Sequence, residues 1–334
     1  MNNDALRQKI DRCLESLGNA DLSQVYNYLS NLLLVNEESQ ERPTCPHCNG
    51  SLVIKYGIKR GKQRYYCREC EKTFVATTNT VMYHSHFGKS TWLEFIKDTI
   101  EGRSLDYSAE RLGFSHPTAF AMRQKVLMAL ETARDLEPIT FYDITELDET
   151  FCLDNYKGSP VPEEAGRGPR KHGAQARRPG ISNEYVCICT GVQRNGGPVM
   201  ALTVNRATPS KEEIKEVFGG HIGAGALLFT DGQKAYQSLR SVAEGCSVVS
   251  VNAQKGRVFH LNTVNGFHSL IKSYYEAYRG VATKYLNRYN ALFSMLYRSF
   301  SGLKDHIFSR LSKVSSVCYW SPVSAIKLQR ILVL

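Results

Sequence analysis

Two Cys-x-x-Cys pairs, Cys45 with Cys48 and Cys67 with Cys70, constrain this chain more than any other feature. Each pair makes a tight knuckle that aims two thiolates at one point, and four sulfurs satisfy the tetrahedral preference of zinc. A closed four-sulfur shell leaves no open position for water, so the expected ion is one structural Zn²⁺. The spacing predicts a zinc ribbon over 43–80. Between the knuckles Lys55, Lys59, Arg60, Lys62 and Arg64 alternate with Tyr56, Tyr65 and Tyr66. That pattern suits contact with phosphates, and equally a solvated basic hairpin. The remaining cysteines, Cys13, Cys152, Cys187, Cys189, Cys246 and Cys318, read as small core residues.

The opening "MNNDALRQK" lacks the charged-then-apolar layout of an export signal, which predicts a cytoplasmic protein without a disulfide framework. No apolar run approaches membrane-spanning length, so no membrane partner is expected. With 334 residues and 42% hydrophobic content there is room for two or three domains. A net charge of +10 favours a polyanionic partner. Residues 1–42 read as two short amphipathic helices, with Leu6, Ile10, Leu14 and Leu17 on one and Leu22, Val25, Leu29 and Leu32 on the other. Such a pair must pack on another domain or on another copy of the chain.

Over 88–135 three helices can be drawn. The last two, "YSAERLG" and the run from Pro117 to Leu130, meet at a turn with Gly113, Ser115 as cap and Pro117 in the first turn. A short helix, a glycine turn and a longer helix bearing Ser115, His116, Thr118, Arg123 and Lys125 form the pattern of a helix-turn-helix. Those five residues are the candidates for DNA contact, and a plain three-helix packing module is the competing reading.

From Phe141 the rhythm changes. "FYDITELDETF" reads as a strand, followed by the basic stretch 157–180, expected as a mobile loop too polar to pack. "EYVCICTGVQR" and "PVMALTVNR" are strands around Asn195-Gly196, a hairpin signal. Ser210 caps a helix, "GALLFTDG" is a buried strand ending in Asp231, "QKAYQSLRSVAEG" reads as a helix and "CSVVSVN" as a strand. The helix "HLNTVNGFHSLIKSYYEAY" comes next, with Val264, Phe267, Ile271, Tyr274 and Tyr278 on its apolar stripe and Asn262 or Thr263 as possible cap. This order predicts a multidomain α/β chain. Its ribonuclease H-like core of mixed five-stranded sheet and helices occupies 140–300, behind the ribbon and the helix-turn-helix.

In that topology the first and fourth strands are neighbours, which brings Asp148 and Asp231 together. Two carboxylates there repel unless cations lie between them. Hard oxygen ligands favour Mg²⁺ or Mn²⁺, and a pair of such ions can drive in-line phosphodiester displacement. Asn265 can add a carbonyl oxygen from the following helix, with Lys272 on the same face two turns on. His268, one turn from Asn265, is a second candidate to supplement the site or a hydrogen-bonded boundary histidine. Glu146 shares a strand face with Asp148 and is another second candidate, whereas Glu149 should face away.

"ITELDETF", "LLFTDGQKAY" and "HLNTVNGFHSLIK...YRGVATKYLNRY" resemble the three catalytic blocks of bacterial insertion-sequence transposases with an N-terminal zinc ribbon and a DDE-type core. The similarity is to the subgroup whose third acid is asparagine followed by a lysine, and it runs from about Cys45 to about Phe293. It implies that Asp148, Asp231 and Asn265 bind two catalytic Mg²⁺ or Mn²⁺ ions and that Lys272 meets DNA phosphate beside the scissile bond. It also implies double-stranded DNA partners, both inverted-repeat ends and target, and a homo-oligomer on DNA. A catalytically silent DNA-binding derivative and a nuclease of the same fold are the alternatives. The extension 301–334 lies beyond the resemblance and carries no assigned role.

Overall fold

The computed structural model describes residues 43–136, 139–170, 175–253, 257–278 and 280–300. The expected helices of 1–42, Cys13, Cys318 and the extension 301–334 lie outside the described residues. The chain divides into two compact units near residue 134.

In the first unit, β1 (Val53–Lys59), β2 (Lys62–Cys67) and β3 (Thr73–Val75) form an antiparallel sheet in that order. Arg60 and Gly61 both take positive φ in the turn between β1 and β2, as a tight hairpin matched to strand twist requires. Asn49 and Glu71 take positive φ just after the second cysteine of each pair, which folds each knuckle back. The apolar centre is small: Cys45, Val53, Cys67 and Phe74, with Tyr65 stacked on Phe74. A core of that size needs a cross-link to stay folded.

Three helices follow: α1 (Lys89–Ile100), α2 (Leu105–Leu112) and α3 (His116–Leu136). Ser104 caps α2 by accepting from Tyr107 N, and Gly113 ends it in the left-handed region. Ser115 accepts from Thr118 N at the start of α3, as its position before Pro117 predicts. Ser115 and His116 are exposed there and Thr118 is half-buried, with His116 against Asp106. Two of the five expected DNA contacts are corrected. Arg123 is 1% exposed and donates to the Arg103 carbonyl, with its guanidinium over the Phe95 ring. Lys125 donates to the carbonyls of Val81 and Tyr83. Both charges are spent on internal backbone oxygens, because α3 turns that side toward the rest of the unit and not toward solvent.

The second unit is a five-stranded mixed sheet of β4 (Thr145–Leu153), β5 (Tyr185–Gln193), β6 (Val199–Arg206), β7 (Leu227–Thr230) and β8 (Ser247–Ser250), in the order β6-β5-β4-β7-β8. The β4–β5 and β5–β6 pairs are antiparallel, and β4–β7 and β7–β8 are parallel. These are the expected ribonuclease H-like order and directions, with the first and fourth strands side by side. Asn195 and Gly196 take positive φ between β5 and β6. The helix α4 (Lys211–Phe218) starts in a full capping box between Ser210 and Glu213. Ile214 and Phe218 of α4 join Leu147, Cys187, Cys189, Leu228, Tyr236 and Leu239 in one core. The segment expected as a helix after Asp231 is instead a 3₁₀ helix, Lys234–Ser241. Its buried residues Tyr236 and Leu239 are three apart, and a three-residue turn stacks them on one line toward the sheet. The helices α5 (Asn262–Ala277) and α6 (Leu286–Phe300) complete the unit, with Tyr274, Tyr278 and Phe293 stacked between them.

Two further expectations are corrected in this unit. The described part of the basic stretch 157–180 is not a loose loop, because Asp154, buried at the end of β4, gathers Arg167, Arg170 and Arg206, and Arg170 reaches on to Glu184. Polar composition made it look unpackable, yet buried ion pairing replaces apolar packing. Glu146, expected as a second candidate for the metal site, is 0% exposed and its carboxylate is taken up by internal donors. Its carboxylate accepts from Thr263 N, Val264 N and the Thr263 hydroxyl and is paired with Arg194 at 2.6 Å. Neither Asn262 nor Thr263 caps α5 with its own side chain. A carboxylate from β4 does so instead, satisfying the orphan N–H groups where the helix dipole favours negative charge.

Candidate active site

The parallel pairing of β4 and β7 sets Glu146 beside Phe229. Carried on by two residues, that register sets Asp148 beside Asp231, just past the end of β7. Gly232 follows at φ +100°, where a Cβ would meet the Ser250 hydroxyl at 2.5 Å, so the tight exit that presents Asp231 requires glycine. Asp231 Oδ1 accepts from Gln233 N and Asp148 Oδ1 accepts from Glu149 N, which holds both carboxylates in place.

The helix α5 lies along β4, anchored at its start by Glu146. Its spacing puts Asn265, His268 and Lys272 on one stripe. Asn265 is exposed and its side chain makes no hydrogen bond to a described residue. His268 is 7% exposed, with Nδ1 3.9 Å from Asp148 Oδ2 and Nε2 2.6 Å from the Thr190 hydroxyl. Lys272 is exposed and its charge reaches both Asp148 and His268. Asp148, Asp231, His268 and Lys272 come from three separate segments and lie within electrostatic reach of one another, with Asn265 one turn before His268.

Sequence reasoning missed two others. Thr190 of β5 stands across the ladder from Asp148 and donates to the Asp148 carbonyl at 2.8 Å. Nothing in a threonine within a strand signals such a link. Glu149 leaves β4 toward Cys189 and Tyr236, yet it remains close enough to both aspartates to feel their charge. Burial, then the charges of Asp148 and Asp231, pushes its carboxyl up to about 7. Burial and the charge of Asp231 push Asp148 up to about 6 against the opposing Glu149 N–H and Lys272. Burial and Lys272 push His268 down to about 4, so its ring is neutral near pH 7.

A carboxyl raised above its unfolded value stabilises the fold below the unfolded pKa and loses that contribution as pH rises through the folded one. For Glu149 this window runs from 4.5 to about 7. Glu149→Gln is expected to match the parent in stability near pH 4 and to gain on it as pH rises to 8, in denaturant melts without divalent ions. The opposing titration of His268 cancels in the difference. A difference that stays flat with pH would place Glu149 in a solvated setting and sink the expectation.

In the first unit, Cys45, Cys48, Cys67 and Cys70 bring their sulfurs within 4.8 Å of one another and could hold a metal ion. The Cys45–Cys70 and Cys48–Cys67 sulfur pairs are each 3.6 Å apart, close to the separation of about 3.8 Å expected of sulfurs at about 2.3 Å from a tetrahedral ion. Among the described residues no helix is long and apolar enough to cross a membrane.

Known proteins are similar to this chain. Residues 145–299 match the model of a family described as ISXO2-like transposase domain. Over 261 residues the chain is 27% identical to an uncharacterized protein in transposable element ISH50 of Halobacterium salinarum, covering 75% of this chain and 84% of that protein. A chain from the crystal structure of a pre-cleavage Mos1 transpososome aligns with 10% identity over 68% of this chain and 78% of that one, at a TM-score of 0.26 too low to support an argument. The matched segment opens at β4 and runs through α6, enclosing Asp148, Asp231 and the α5 stripe, so the sheet and helices of the second unit are similar to an ISXO2-like transposase domain.

Proposed function

We propose that the chain is an insertion-sequence transposase that binds the terminal inverted repeats of its own element and catalyses divalent-metal-dependent strand cleavage and transfer. The observation that supports the reading is the register that sets Asp148 beside Asp231, with His268 and Lys272 of α5 near Asp148 and Asn265 one turn before His268. The donor set fits Mg²⁺ or Mn²⁺: two carboxylates and an amide oxygen are hard ligands, and the charges of Asp148 and Asp231 oppose one another across the strand ends. Asp148, Asp231 and Asn265 would hold the ions, which when bound supply an activated hydroxyl and a stabilised leaving oxygen. Lys272 places a compact charge for a DNA phosphate. Ser115, His116 and Thr118 at the start of α3 face solvent or its edge and are the recognition residues that remain.

Strand cleavage and joining on a labelled inverted-repeat end, with Mg²⁺ or Mn²⁺ titrated, tests the reading. Cleavage and joining together support it. Cleavage without joining would make the chain a nuclease, and binding alone a silent derivative.

The ribbon's ion is one structural Zn²⁺ in this reading. Cys67→Ser is expected to release zinc and unfold the ribbon, read by metal analysis and loss of DNA binding, while the core fold persists. A purified protein without zinc overturns that assignment.

A further inference from the structure

The Thr190 hydroxyl lies 2.8 Å from the Asp148 carbonyl oxygen and 2.6 Å from His268 Nε2. A carbonyl oxygen only accepts and a hydroxyl carries one proton. The Thr190 proton therefore goes to Asp148, and the Thr190 oxygen must accept from His268. This fixes the imidazole proton on Nε2 and leaves Nδ1 of the neutral ring as a bare lone pair. Nδ1 is the atom that faces Asp148 Oδ2, at 3.9 Å. That gap is too long for a hydrogen bond, and two acceptors have no reason to face each other across a nearly buried space. It is a natural gap for two ligands of one ion, since atoms bonded at about 2.1 Å to a common cation lie up to about 4.2 Å apart.

From this we propose that His268 Nδ1 and Asp148 Oδ2 hold the same divalent ion, that Thr190 is the positioning residue that selects the tautomer, and that the mixed nitrogen and oxygen site prefers Mn²⁺ to Mg²⁺. The proposal rests on the reading of Asp148 as a metal ligand. Mg²⁺ keeps to oxygen and water, whereas imidazole suits transition ions. A hydrogen bond on the far nitrogen is also how proteins orient a ligating histidine. The arrangement explains how a site with asparagine in place of a third carboxylate retains its ion: a neutral imidazole adds a donor where no charge was added.

The full-length, zinc-loaded protein is titrated with Mn²⁺ and with Mg²⁺ by calorimetry in the absence of DNA, and bound Mn²⁺ is probed by pulsed electron paramagnetic resonance for coupling to an imidazole nitrogen. The parent is expected to show that coupling and to bind Mn²⁺ more tightly than Mg²⁺. His268→Gln is expected to lose the coupling and weaken Mn²⁺ by about tenfold or more, with little change for Mg²⁺. Thr190→Val shifts binding in the same direction and Thr190→Ser retains the parent's values. The parent's own coupling needs no variant, so a misfolded variant cannot imitate the result. Mn²⁺ binding that is lost in Asp148→Asn but shows no nitrogen coupling overturns the inference, assigns the gap to a bridging water and leaves Asp148 a ligand. Coupling that persists in His268→Gln belongs to another imidazole and overturns it too. A parent that binds no Mn²⁺ overturns both this inference and the reading beneath it.

Discussion

Asn265→Ala is expected to lower strand cleavage by on the order of 10³-fold or more, as much as Asp148→Ala or Asp231→Ala, because groups that act as a unit fail together. Asn265→Asp should keep part of the activity, since it offers oxygen in nearly the same place with added charge. Lys272→Ala should instead impair placement of the cleaved strand, since an ammonium meets phosphate and cannot ligate a cation. DNA binding should survive in all of them. Asn265 is suited to this assay because it is exposed and its side chain is bonded to no described residue, so alanine there leaves the packing intact. If Asn265→Ala cuts and joins like the parent at every Mg²⁺ and Mn²⁺ concentration, Asn265 is only the polar flank of an amphipathic helix.

Glu146→Ala is expected to act through stability. The carboxylate is fully buried, caps α5 and is paired with Arg194, which is itself only 13% exposed. Removing it strands a buried guanidinium and two helix N–H groups, a loss of about 3 to 5 kcal/mol. In a domain of this size that lowers the melting temperature by roughly 10 °C. Cleavage should fall with it, because α5 carries Asn265 and Lys272 and its start is fixed by this one side chain. Thermal denaturation followed by circular dichroism reads the effect. A melting temperature within a degree or two of the parent's would mean that Arg194 and the helix start find other partners.

The string "GVATKYL" shows how differently a motif and its role are read. It lies in the third of the blocks that carry the family resemblance, but its work appears only in three dimensions. Thr283 N donates to the Asn155 carbonyl and Asn155 N to the Thr283 hydroxyl, both at 2.8 Å. Gly280 takes φ +83° where a Cβ would meet Asn155 Nδ2 at 2.7 Å. The string clasps the chain that leaves β4, a contact between segments far apart in sequence.

What the sequence determined by itself was whatever depends on near neighbours along the chain. Cys-x-x-Cys spacing, the Ser210 and Ser115 caps, the Asn195-Gly196 turn and the strand and helix order are local, because hydrogen bonds and backbone dihedrals act over a few residues. Order then sufficed to bring Asp148 beside Asp231, since few topologies accommodate that succession of elements. Tertiary structure decided the fate of charges. Arg123 and Lys125 read as DNA contacts, Glu146 as a possible ligand and Arg167 and Arg170 as part of a mobile loop, yet each of these is spent on an internal partner. A buried charge is stable only opposite a partner or dipole, and those partners lie tens of residues away, as Thr263 does from Glu146. The tautomer of His268 is of the same kind, because it depends on one proton of Thr190 that only the folded sheet directs.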